Sequence, residues 1–264
     1  MNLLLCSLII LFGGAFLQFA FARRTALTRM AGPAVTIAGA VIGLIPVFRA
    51  LGGRPEGFHF SWSMPFGSFS ASLDGLSAFF ALPILVISTL AAFYGAAYLK
   101  SFESKKNLAG FWFFFNVLAG SMLLVVTARN AILFLLAWEI MSLSSFFLVI
   151  FESEVDSARR AGWTYLVATH IGTAFLLVLF CMLGTQNGTL DFDGFSAAGA
   201  APKFLAAAFL LAVIGFGTKA GFMPMHVWLP EAHPAAPSHV SAVMSGVMIK
   251  TGIYGLLRSL TYLG

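Results

Sequence analysis

Eight apolar runs follow one another along this 264-residue chain, at roughly 3–22, 33–51, 75–98, 110–128, 131–150, 162–183, 203–223 and 238–261. Each is long enough to cross the hydrocarbon core of a bilayer as a helix. A backbone in lipid must satisfy its own polar groups, which leaves helices or closed barrels as spanning structures. The gaps between several runs are short, so the expected fold is all-α, a single polytopic helix bundle with no soluble domain. Composition agrees with it. The chain is 59% hydrophobic and 9% charged, against about 25% charged in ordinary globular domains, too little to cover a water-facing surface. The net charge of +5 is then a matter of membrane topology and not of nucleic acid.

The longest interruption, residues 52–74 (GGRPEGFHFSWSMPFGSFSASLD), alternates small or polar residues with aromatics. It predicts a short hairpin at the membrane surface with Trp62 as an interfacial anchor. Basic residues set the orientation. Alternate loops hold Arg23, Arg24 and Arg29, then Lys100, Lys105 and Lys106, then Arg159 and Arg160, and the opposite set holds Arg49, Arg54, Arg129, Lys203 and Arg258. Eight against five predicts the first set in the cytoplasm and the N-terminus outside. The first run lacks a basic n-region and a cleavage site before Arg23, so it reads as a retained helix and not a signal peptide. Cys6 and Cys181 sit in separate apolar runs and read as packing residues. With no Walker loop, dinucleotide glycine fingerprint, CxxC or His-Glu-x-x-His, the sequence assigns no cofactor, no flavin, haem or iron–sulfur cluster, and no metal.

The chemistry concentrates between Gly215 and Gly255, GFGTKAGFMPMHVWLPEAHPAAPSHVSAVMSGVMIKTGIYG. Two lysines, Lys219 and Lys250, lie in apolar segments there, separated by four prolines (Pro224, Pro230, Pro234, Pro237) and three histidines (His226, His233, His239). A lysine at mid-bilayer costs roughly 2.5–3.5 kcal/mol on insertion scales and survives where it has a task and a partner. Pro224 lacks an N–H and clashes with the carbonyl of Ala220, which predicts a seventh helix broken beside Lys219 and continuing as a short piece to 229. Such breaks are tolerated where the freed backbone lines a polar cavity or is buried in protein. Snorkelling to the interface competes as an account of Lys219. It does not suit Lys250, which lies about 15–20 Å from either end of its span; a purely structural salt bridge is the alternative there.

Glu139, in LLAWEIMSLSSFF, lies eight residues after Ala131, or about 12 Å along a helix. It is either a neutral acid bonded to a neighbouring helix or the ion-pair partner of one of the two lysines. Ser142, Ser144 and Ser145 beside it line a hydrated face or allow close helix packing. Histidines titrate near neutrality, so His226, His233 and His239 suit a relay between the lysines. His170, alone in the sixth run, is a relay member or a packing residue.

WEIMSLSS, the Gly215–Gly255 stretch and, more weakly, SLDGLSAFFAL resemble the antiporter-like membrane subunits of respiratory complex I and its relatives, above all the large proton-antiporter-like subunit of formate hydrogenlyase and hydrogenase-4. The resemblance implies that Glu139 is the modulating glutamate of the fifth helix, Lys219 the lysine of the broken seventh and Lys250 the central lysine of the eighth, with His226 and His233 connecting them. It implies a proton-translocating subunit of a redox-driven complex (membrane-bound hydrogenase, formate hydrogenlyase or NADH-quinone oxidoreductase type), multi-pass in the cell inner (plasma) membrane. Implied partners are other membrane subunits, peripheral hydrogenase or dehydrogenase subunits and membrane lipid. The alternative is a subunit of a multisubunit sodium/proton antiporter without a redox partner. Members of the family carry two inverted five-helix repeats. The expected layout here is an N-terminal three-helix segment over 1–109, with the hairpin near 52–74, and the first repeat, spans four to eight, over 110–264. The second half is then either missing from this chain or a separate polypeptide.

Overall fold

The structure, a computed structural model, describes residues 2–61 and 68–263; the expected Trp62 anchor lies outside the described residues. Among the described residues eight helical segments are long and apolar enough to cross a membrane. Short polar side chains start several of them by accepting a bond from an otherwise orphaned N–H. Asn2 caps α1 (Leu3–Ala20), Asp74 caps α3 (Gly75–Tyr98), Asn107 caps α4 (Leu108–Thr127) and Asn130 caps α5 (Ala131–Val149). Between α1 and α3, helix α2 (Thr25–Leu51) begins well before residue 33, with Pro33 and Pro46 inside it. Asn116 of α4 donates to Gly32 O at 3.2 Å and accepts from Thr36 Oγ1 at 2.7 Å, which ties α2 to α4 on both sides of Pro33. Helix α4 is the axis of the bundle: 83% of its apolar window is buried, against 33% for α6 (Asp156–Asn187).

One end of the bundle is closed by the hairpin. Strands β1 (Glu56–Ser61) and β2 (Ser68–Leu73) pair antiparallel, Phe58 opposite Ala71. Arg129, in the α4–α5 turn, donates its N–H to Ser70 O at 2.9 Å. Beneath lies an ion triad that the sequence reading missed. Asp74 accepts from Arg258 at 2.8 Å through both carboxylate oxygens and from Arg129 at 2.9 Å. Partial burial pushes the Asp74 carboxyl up, but Arg258, the Ser77 N–H and Arg129 outweigh it and hold the group well below the usual carboxylate range. Arg129 and Arg258, counted above as loop charges, are in fact buried partners. The opposite end carries the pairs Arg29–Glu103, Lys106–Glu154 and Arg159–Asp156.

The seventh span is α7 (Pro202–Ala220), and it stops one residue after Lys219. Gly221 takes φ +76°, a left-handed conformation suited to a residue without Cβ, and its N–H closes on Gly217 O as a helix C-cap does. The break is therefore where the sequence suggested, but the chain has left the helix three residues before Pro224. Residues 221–228 are turns, and helix resumes as α8 (Leu229–Ala235) and not as a piece ending at 229. Pro230 sits in the first turn of α8, where a missing N–H costs nothing. The eighth span comprises α9 (Ser238–Val243), a π turn at Met244–Met248 and α10 (Ile249–Leu263). Gly252 of α10 lies so close to α7 that a Cβ there would meet Phe216 O at 2.6 Å and Ala220 N at 2.8 Å.

Candidate functional site

Lys219 reaches the interior because α7 ends beside it and α10 packs directly onto that end. Its side chain is fully buried. Nζ donates to Ser142 Oγ of α5 at 3.0 Å and to Tyr165 OH of α6 at 2.8 Å. The ammonium lies 5.1 Å from the Tyr165 ring centre and 5.8 Å from that of Trp138, within the range of cation–π attraction. Tyr165 OH is shared with Ser145 Oγ at 2.5 Å. Two hydroxyls and two aromatic faces thus surround Lys219, where an ion pair with Glu139 was one of the alternatives. Ser142 and Ser145 had been singled out in the sequence, whereas Tyr165 and Trp138 had not; neither has a local pattern that separates it from an ordinary core aromatic.

No Glu139–Lys219 ion pair forms. Glu139, midway along α5, lies at the edge of the bundle with Oε1 buried and unbonded, and meets His170 of α6, Oε2 to Nε2 at 3.2 Å. Ser142, three residues along the same helix, takes the lysine instead. His170, read from the sequence as a relay member or a packing residue, is here the partner of the glutamate.

The second cluster lies on the far side of Trp228. The indole donates to Thr218 O at 2.9 Å, one of the carbonyls left free where α7 stops. Its ring packs edge-on against Tyr165 and nearly parallel to the imidazole of His233. His233 Nδ1 lies 3.1 Å from Ser241 Oγ, Ser245 Oγ donates to Ser241 O at 2.9 Å, and Lys250 Nζ donates to Ser245 O across the π turn. Partial burial moves the His233 imidazole below its ordinary value, and the charge of Lys250 acts in the same direction. Lys250 is the thirteenth residue of the span Ser238–Leu263, at its middle as expected, but its side chain is exposed on the flank of the chain.

The two clusters are not joined by a hydrogen bond: Trp228 stands between Tyr165 and His233. His226 belongs to neither, and its buried Nδ1 has no partner. His239 is buried with both ring nitrogens unpartnered, packed among Tyr98, Phe111 and Phe115. An open cavity of about 520 Å³ lined by Ser157, Arg160, Glu231 and Pro230 lies outside α8, between it and the start of α6. Among the described residues no group of three or more His, Cys, Asp or Glu side chains is placed to hold a metal ion.

Comparison with known proteins matches residues 128–264 to the family described as NADH:quinone oxidoreductase/Mrp antiporter, TM. Hydrogenase-4 component B of Escherichia coli K12 is 40% identical over 224 residues, which are 84% of this chain and 33% of that protein. Among solved structures, the Mrp complex from Dietzia sp. DQ12-45-1b superposes with a TM-score of 0.82 at 27% identity, over 96% of this chain and 28% of that one. The archaeal membrane-bound sulfane sulfur reductase superposes with a TM-score of 0.82 at 26% identity, over 97% of this chain and 40% of the other. The chain spans about a third of the length of the curated relatives it matches.

Proposed function

The chain belongs to the NADH:quinone oxidoreductase/Mrp antiporter transmembrane family, and from that premise we propose that it moves protons within a redox-driven membrane complex of the hydrogenase type. The observation that carries the proposal is Lys219, a fully buried lysine at the broken end of a membrane helix, held by two hydroxyls and no acid. A lysine so placed can gain and release a proton without breaking an ion pair, and Tyr165 OH takes that proton as it passes its own to Ser145 Oγ. Glu139 acts on it electrostatically from one turn away. His233 and Lys250 carry the proton onward, and a rearrangement of Trp228 or an inserted water completes the path between clusters. His226, beside the break, serves the entry side.

The layout we propose keeps residues 1–109 as a supporting three-helix segment and 110–264 as the translocating repeat. Within the cell membrane the hairpin end faces outward with the N-terminus, since Arg129 and Arg258 are tied to Asp74 and only Arg49, Arg54 and Lys203 stay exposed there, against eight basic residues on the other side. The partners are other membrane subunits and a peripheral hydrogenase or dehydrogenase. The likeness to an Mrp complex favours a second reading, sodium/proton exchange without a redox partner. Inverted vesicles carrying the assembled complex separate the two. Redox-driven acidification that persists without sodium supports the first; sodium-dependent pH change with no redox requirement replaces it with the second.

A further inference from the structure

Glu139 and His170 form a site of their own on the outer face of α5 and α6. His170 Nδ1 lies 2.9 Å from Leu166 O, one turn back on α6. A carbonyl only accepts, so Nδ1 carries a hydrogen. Nε2 then faces Glu139 Oε2 at 3.2 Å, and a hydrogen bond at that contact requires one proton between the two atoms. It sits either on Nε2, giving an imidazolium against a carboxylate, or on Oε2, giving a carboxylic acid against a neutral imidazole. Both placements have zero net charge. Moving between them transfers one proton along one hydrogen bond, and nothing enters or leaves the pair.

The surroundings explain why neutrality matters. The His170 side chain is 47% exposed and that of Glu139 28%, among the apolar surface residues Leu136, Ile140 and Leu143 of α5 and Val167 and Ile171 of α6. A lone ion at mid-span in such a band is costly. Tyr165 of α6 and Lys219 of α7 lie within electrostatic reach of Glu139. Helix α4 carries no titratable residue, and α8 brings an exposed Glu231 and His233, which is turned to Ser241. Ser142, three residues after Glu139, holds the ammonium of Lys219. The charge on Glu139 therefore acts on Lys219 through space.

We propose that Glu139 and His170 share one proton and that His170 is the positioning residue that sets the charge Glu139 presents to Lys219. Its consequence for transport rests on the proton-translocation reading; the dyad itself does not. Isotope-edited infrared spectroscopy of the assembled complex in nanodiscs tests it, with the Glu139 carboxyl band assigned by its loss in Glu139→Gln. In the wild type the Glu139 band and the His170 ring band are expected to change together at each joint step of the pair. His170→Arg, whose guanidinium keeps its proton, is expected to confine the protonated-carboxyl band to lower pH than in the wild type. In Glu139→Gln the His170 ring titration is expected to move. A Glu139 band that titrates identically in wild type and His170→Arg, or a ring band indifferent to Glu139→Gln, overturns the dyad. A complex that shows the joint step but pumps no protons leaves the dyad standing and refutes the transport reading.

Discussion

The two intramembrane lysines look alike in sequence and are opposites in structure. Lys219 is sealed in the interior by α5, α6 and α7, with hydroxyl partners and aromatic walls. Lys250 lies at the middle of its span but on the flank, bonded to a backbone carbonyl of its own helix. The difference comes from how each helix is interrupted. At α7 the chain leaves the helix altogether at Gly221, and Lys219, in the last turn before the break, points into the space between neighbouring helices. At the eighth span the helix continues through a π turn, which rotates the following residues without freeing the end. A terminated helix encloses its charge, whereas a widened one displays it. An exposed ammonium at mid-span is expensive in lipid.

The contrast is broken most directly at Lys219. Replacing it with Leu removes a positioned proton carrier, a change of roughly a hundredfold or more in rate by the scale of general acid–base groups. The complex should still assemble, because an apolar side chain in place of a buried charge is often neutral for stability. Proton pumping in vesicles, normalised to assembled complex, checks it, and pumping at even a tenth of the wild-type rate would remove Lys219 from the path. Lys250→Arg sharpens the comparison. The flank keeps its positive charge, yet a guanidinium does not release a proton, so assembly is retained and pumping is lost. Wild-type pumping in this variant would make Lys250 a fixed charge only.

Gly252 holds the two regions together. In Gly252→Val the new side chain meets Phe216 O and Ala220 N, and overpacking of this kind costs about 1–3 kcal/mol. Thermal unfolding of the purified complex should show a lowered midpoint, while the Asp74 triad at the far end of α10 stays intact. An unchanged midpoint would mean that α10 moves freely against α7.

The smallest effect concerns His233. Its imidazole lies below the ordinary value first because it is partly buried and second because Lys250 repels an added proton. Removing the second cause in Lys250→Gln should raise the midpoint of His233 towards, but not up to, that of a free histidine, since burial remains. The neutral form would then persist over a narrower range, protonation setting in at higher pH. NMR titration of labelled histidine measures it, and a midpoint unmoved by Lys250→Gln would uncouple the two residues.

Much of this was legible in the chain itself. Apolar runs of the right length specify spanning helices because lipid leaves the backbone no other partner, and Gly221 and Pro224 together announce a break because neither suits a helix interior. The depths of Glu139 and Lys250 also follow from counting at 1.5 Å per residue. What counting along one helix cannot give is direction across the bundle. Glu139 and Ser142 are three residues apart on α5, and only the rotation of α5 against α6 and α7 decided that the serine receives Lys219 and the glutamate turns to His170. The same holds for Asp74, whose partners Arg129 and Arg258 come from segments up to 184 residues away. Local periodicity determines the helices; which polar atoms meet depends on packing among all of them at once, where every buried donor must find whichever acceptor the neighbouring helix presents.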